Sequence, residues 1–279
     1  MPTYSAADGT EIAYHEFGDG PPLICLPGGP MRASAYLGEL GGLSAHRRLI
    51  MLDLRGSGRS AVPDDLGSCR CDRLVDDVEA LRAHLGLESV DLLAHCAGSN
   101  VATQYVSAHP ERVAALALIT PSVLGLGIDV SQEVRLRTAR LRAAEPWFPE
   151  AYAALEAITA GRMSDEAWER VAPFFHGRWD AAARALQAAD AEQKNPEVVR
   201  AFGAEGAFDP RRTREALDRF AGPVLVLAGE VDLNSPPPAM VEVAALFPKA
   251  ELVVQPGAGH HPWLDDPERF AATVDAFLG

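Results

Sequence analysis

The sequence predicts an α/β fold: a mostly parallel sheet flanked by helices and interrupted once by a helical insertion. Three observations carry that expectation. Short apolar runs alternate with helical patterns through the first 120 or so residues. Strand-like runs then disappear between about residues 123 and 208, and the alternation resumes beyond them. A strand, a crossover helix and a second strand form a right-handed parallel unit, so such alternation implies a parallel sheet.

Each element follows from local pattern. Residues 3–6 and 12–17 flank Asp8-Gly9, a turn dipeptide that predicts a hairpin. Strands are expected at 23–26, 49–54, 90–94 and 113–120, with helices at 72–86 and 100–109. In the helix at 72–86, Leu74, Val78, Leu81 and Leu85 share one face and Gly86 stops the pattern. The insertion is rich in Ala, Arg and Glu and is punctuated by Pro146, Pro149, Gly161, Pro173 and Pro196. Beyond it come a strand at 224–228, a helix at 238–247, a strand at 252–255 and a helix at 267–278. The expected division is a core of residues 1–122 and 209–279 carrying a helical cap at 123–208.

Composition excludes several roles. The 279 residues, 48% hydrophobic and 23% charged, are enough to bury a large core. A net charge of −14 argues against nucleic acid and anionic membrane surfaces as partners. The start, Met1-Pro2-Thr3-Tyr4-Ser5, lacks the basic and apolar regions of a secretory signal, and apolar runs such as Val113–Ile119 are too short to span a bilayer. The four cysteines, Cys25, Cys69, Cys71 and Cys96, form no CxxC pair and no metal-ligand set, so a reducing, cytoplasmic setting is expected with no metal and no cofactor. Cys69 and Cys71 are expected in a polar loop without a role. Oligomeric state is not readable.

The chemistry centres on Ala94-His95-Cys96-Ala97-Gly98. It follows a short apolar strand and precedes a helix, with small residues two before and two after Cys96. That is the pattern of a nucleophile elbow, whose strained backbone packs close to its neighbours. A nucleophile needs a base, and the base needs an acid to fix its tautomer. The resumed alternation supplies both, each in a loop just after a strand: Asp232 in Gly229-Glu230-Val231-Asp232, and His260 in Gly257-Ala258-Gly259-His260. His261 is the rival base and Glu230 the rival acid. His95 is expected to be a packing residue. Acyl transfer also needs oxyanion donors. The N–H of Ala97, after the nucleophile, is one. Gly29 in Pro27-Gly28-Gly29-Pro30 is the other, because the prolines have no N–H to give.

These residues resemble a known superfamily. Asp53-Leu54-Arg55-Gly56-Ser57-Gly58-Arg59-Ser60 is similar to the D-x-R-G-x-G-x-S segment of α/β-hydrolase-fold enzymes, and Pro27-Gly28-Gly29-Pro30 resembles the H-G-G-P-G of the proline iminopeptidase branch. The acid and histidine motifs resemble those of the same fold. The resemblance implies a mostly parallel eight-stranded sheet and an acyl hydrolase acting on an ester, amide or aminoacyl bond of a small-molecule or short peptidyl substrate. The branch carries serine where Cys96 stands. Three accounts of that cysteine stay open: a native thiol enzyme, an introduced replacement of serine, or an inert site. A thioesterase, acyltransferase or cyclase is the alternative activity, and a ligand-binding protein without catalysis is a further one. Cap carboxylates bind the substrate amine in that branch, which makes Glu205 a candidate contact. Glu230, Trp147, Phe174 and Trp179, with Trp168, Phe148 and Phe175, are candidates to line the pocket.

Overall fold

The computed structural model describes residues 2–279. Eight strands form one sheet: β1 (Thr3–Ser5), β2 (Glu11–Phe17), β3 (Pro22–Leu26), β4 (Arg48–Leu52), β5 (Val90–His95), β6 (Val113–Ile119), β7 (Val224–Gly229) and β8 (Ala250–Gln255). Their order is β1-β2-β4-β3-β5-β6-β7-β8. β1 and β2 are the expected hairpin, β2 meets β4 antiparallel, and every pair from β4 to β8 is parallel. The predicted α/β class holds.

The central strands read as unbroken apolar runs because helices cover both faces. Successive side chains point to opposite sides of a strand. Ile24, Leu26, Ile50, Leu52, Leu92 and Leu116 therefore enter one core, with α1 (Leu74–His84), α2 (Gly98–Ala108) and α9 (Pro237–Ala244). Leu23, Cys25, Leu49, Met51, Leu93 and Ala117 enter the other, against α10 (Pro262–Asp265) and α11 (Pro267–Leu278) through Trp263, Phe270 and Val274. Cys69 and Cys71 are a correction: both are fully buried in the first core rather than set in a polar loop.

Between β6 and β7 lie α3 (Gln132–Arg140), α4 (Phe148–Thr159), α5 (Asp165–Val171), α6 (Ala181–Ala188), α7 (Pro196–Phe202) and α8 (Pro210–Leu217), and among the described residues no strand. Ala151, Leu155, Val171 and Phe174 make a small core of their own that also takes in Leu233 from the loop after β7. The end of the insertion packs differently. Val198 and Phe202 of α7 join the first core beside Cys69 and Cys71.

Candidate active site

The chain turns from strand to helix within two residues, since β5 ends at His95 and α2 begins at Gly98. Cys96 takes φ +50°, a left-handed conformation few non-glycine residues adopt. Neighbouring backbone pins it. The Cys96 N–H donates to the Ile119 carbonyl at 3.1 Å, and its own carbonyl accepts from the N–H of Ser99 and of Ser122. The small flanking residues have a steric cause. A Cβ on Gly98 would lie 2.5 Å from the Pro27 carbonyl oxygen, and one on Gly28 would lie 2.7 Å from the Cys96 Cβ.

The loops after β7 and β8 bring Asp232 and His260 to this turn. His260 Nδ1 and Asp232 Oδ2 are 2.7 Å apart, and Asp232 is fully buried, its other oxygen accepting from the Asn234 N–H at 2.8 Å. The His260 imidazole and the N–H groups of Gly29 and Ala97 are the polar groups that act on the Cys96 thiol. The five residues singled out for chemistry thus meet at one point at the carboxyl end of the sheet, where open α/β sheets bind ligands.

Charge follows from that meeting. Burial alone disfavours a thiolate. The His260 imidazole and the Gly29 and Ala97 N–H groups outweigh it and hold the Cys96 thiol below its ordinary value. Burial likewise opposes protonation of His260, yet Asp232 and the Cys96 sulfur raise the imidazole well above its ordinary value. Both directions favour the thiolate–imidazolium form of the pair. The other thiols shift the opposite way: burial pushes Cys25 and Cys71 up, and Cys69 to about 11.

Three contacts were not foreseen. Asn234 places its Nδ2 3.2 Å from His260 Nε2 and 3.9 Å from the Cys96 sulfur. Its only signal was position, two residues past Asp232. Tyr36 accepts the Gly28 N–H at 2.7 Å and sits 2.6 Å from His95 Nδ1, while His95 Nε2 lies 2.9 Å from the His260 carbonyl. His95 therefore packs, as expected, and also ties the loop at Gly28 to the backbone of His260. Nothing in the local sequence marked Tyr36. Third, Arg32 and Lys194 line the pocket beside Cys96, along with Asp190, Phe175, His261 and Asn234.

That pocket is small, about 200 Å³. It corrects the expected lining. Trp147 and Phe174 stack edge to face at 5.1 Å inside the insertion's own core, and Phe174 is fully buried there. Trp179 lies against the His176 ring at 5.2 Å, outside the pocket. Phe148 packs on Tyr152, and Trp168 is exposed. Glu205 is exposed on the turn after α7, where its backbone carbonyl meets Arg70. Glu230 accepts the Gly257 N–H at 2.8 Å and braces the loop before His260 without reaching its ring-fixing position. Phe175 alone of the aromatic candidates lines the pocket, its carbonyl accepting the His260 N–H at 2.9 Å. His261 is buried beside it, pushed well below its ordinary pKa by burial and neighbouring imidazoles, and no carboxylate among the described residues pairs with it. Among the described residues no cluster of three His, Cys, Asp or Glu side chains is set to hold a metal, and no helix is long and apolar enough to cross a membrane.

This sheet, with Cys96, Asp232 and His260 meeting at the ends of its strands, is that of a hydrolase of the α/β type. Residues 21–267 match the family described as alpha/beta hydrolase fold, and the chain belongs to that family. It is 24% identical to a proline iminopeptidase of Heyndrickxia coagulans, over 97% of this chain and 96% of that one. It is 25% identical to a pimeloyl-[acyl-carrier protein] methyl ester esterase of Aeromonas hydrophila, over 96% and 99%. The solved structure of a proline iminopeptidase from Mycobacterium smegmatis superposes with a TM-score of 0.75 at 25% identity, covering 99% of this chain and 97% of that one.

Proposed function

We propose that this chain is an acyl hydrolase working through a thioacyl-enzyme on Cys96. The observation that carries the proposal is the convergence of Cys96, His260 and Asp232, with the Gly29 and Ala97 N–H groups facing the same sulfur. The Cys96 thiolate attacks the substrate carbonyl carbon, forming a C–S bond and pushing the carbonyl electrons onto oxygen. The two N–H groups hold that oxyanion. His260 gives its proton to the leaving group as the intermediate collapses and the acyl–oxygen bond breaks. A water then attacks the thioester. His260 takes its proton, sulfur leaves, and the acid product departs. Asp232 holds the imidazole with Nδ1–H toward itself throughout.

The thiol narrows the substrate class. A thiolate is a better leaving group than an amine, so the intermediate from an amide tends to expel sulfur unless the nitrogen is protonated first. An ester or thioester of a small molecule therefore suits this site better than the amide bond that the name iminopeptidase implies for its relatives. The substrate enters under residues 123–208, which act as a cap on a core of 1–122 and 209–279. Intact-mass measurement after exposure to an ester and aminoacyl panel tests the reading. The expected result is an acyl adduct on the thiol from esters, with Cys96→Ser compared alongside. Absence of any adduct or turnover in both proteins would point instead to a binding protein.

A further inference from the structure

We propose that the pocket selects substrates whose pocket-filling portion carries a negative charge, a carboxylate in the simplest case, through Lys194 and Arg32. The proposal rests on the reading of Cys96 as the acyl acceptor and adds the class of group bound beside it.

The wall is built as one piece with the oxyanion loop. Arg32 and Lys194 pair as an isolated antiparallel bridge, and the Ala33 N–H donates to the Gln193 carbonyl at 2.9 Å. Arg32 is buried, and its guanidinium is spread over the insertion: Nε donates to Gln193 Oε1 at 2.7 Å, Nη2 to the Leu186 carbonyl at 3.0 Å, and Nη1 faces Asp190 Oδ1 at 3.2 Å. Lys194 Nζ donates to the other oxygen of Asp190 at 2.6 Å. One carboxylate is thus shared between two cations, both of its oxygens occupied.

The consequence is a choice of sign. Asp190 is the one acid among the described residues lining the pocket, and each of its oxygens already faces a cation. Lys194 has three N–H donors and uses one, so two remain for a ligand. Arg32, Lys194 and Asp190 together carry one positive charge on this wall of the pocket, in a chain whose net charge is −14. A substrate amine would meet the cations Arg32 and Lys194, with the one carboxylate between them already neutralised by both. A carboxylate would complete the lysine. Because Arg32 bonds both the insertion and the loop carrying Gly29, an anion held there also steadies the N–H that faces the sulfur.

The test reads charge preference at Cys96 directly, with no need for turnover. Methanethiosulfonate reagents of matched size carry a sulfonatoethyl group (negative) or a trimethylammonioethyl group (positive). The thiolate attacks the sulfenyl sulfur, a mixed disulfide forms, and methanesulfinate leaves. The ratio of the two rates, divided by the same ratio for 2-mercaptoethanol, cancels the thiolate fraction. The expected value is about tenfold in favour of the anion, as one partly solvated unit charge at several ångströms supplies. A ratio at or below that of the free thiol overturns the proposal. Lys194→Met should lower the ratio several-fold and Lys194→Arg should retain it; an unchanged ratio in Lys194→Met also overturns it. If the anion is preferred but no ester ever acylates the protein, the hydrolase reading falls and the charge selection stands. If esters acylate it but carboxylate-bearing ones have no advantage over neutral ones and the ratio is flat, the reverse holds.

Discussion

His95 Nε2 donates to the main-chain carbonyl of His260 at 2.9 Å, so the residue before the proposed nucleophile holds the backbone of the proposed base. The carbonyl can only accept, which puts the proton on Nε2 and leaves Nδ1 to accept from the Tyr36 hydroxyl. The Tyr36 oxygen in turn accepts the Gly28 N–H. A directed chain runs from the loop at Gly28 to His260, and its ends fix its polarity.

Tyr36→Phe breaks that chain and strands two buried polar groups, the Gly28 N–H and His95 Nδ1. The expected cost is about 1–3 kcal/mol in urea unfolding. Because Gly28 adjoins Gly29, kcat for an ester should fall more than KM rises. A stability equal to wild type would mean that water replaces the hydroxyl.

His260→Ala removes the group that holds the Cys96 thiol below its ordinary value. The sign is set by the alkylating species, since only thiolate reacts. With His260 present, thiolate persists as pH falls below the ordinary thiol range; without it, burial raises the thiol and reactivity appears only at alkaline pH. The iodoacetamide rate at pH 7 should drop about tenfold or more, as an ordinary thiol near 8.5 is mostly protonated there. An unshifted rate–pH profile would separate the two side chains.

Gly28→Ala tests the packing of the elbow alone, because Gly28 does not require a positive φ. The added methyl would lie 2.7 Å from the Cys96 Cβ and 2.9 Å from the His95 carbonyl oxygen. The loop must move off Cys96, costing about 1–3 kcal/mol as overpacking does. Ester acylation of Cys96, followed by mass, should slow in step with that displacement.

Asp77→Ala probes the ion pair that joins α1 to the loop after β4. Arg55 grips Asp77 with Nε and Nη2 and reaches Asp8 with Nη1, and Arg55 and Asp77 are both buried. Removing one partner leaves an uncompensated buried charge, with an expected loss of about 3–5 kcal/mol in denaturant unfolding. A loss below about 1 kcal/mol would show that water compensates the arginine.

Much of this was legible along the chain. Strands β3 to β7 announce themselves because a parallel sheet covered on both faces needs apolar side chains at every position. Cys96, Asp232 and His260 were readable because a strained turn, a strand end and a glycine-rich loop each leave local marks. Substrate contacts were not. Trp147 and Phe174 have the composition of a pocket wall, yet they bury each other in the insertion, since an aromatic ring suits either environment. Tyr36, Asn234 and Lys194 carry no local signature, because each matters only through a partner far along the chain.

Sequence by itself determined the sheet, the sharp turn at Cys96 and the places of Cys96, Asp232 and His260 just after strands, all of which depend on periodicity and on steric needs within a few residues. Only the tertiary structure decided which loops meet above the sulfur, and so which charges face it. Arg32 and Lys194 share Asp190 because the insertion folds back onto the loop after β3. That approach is set by packing of whole elements, which no short stretch of residues encodes.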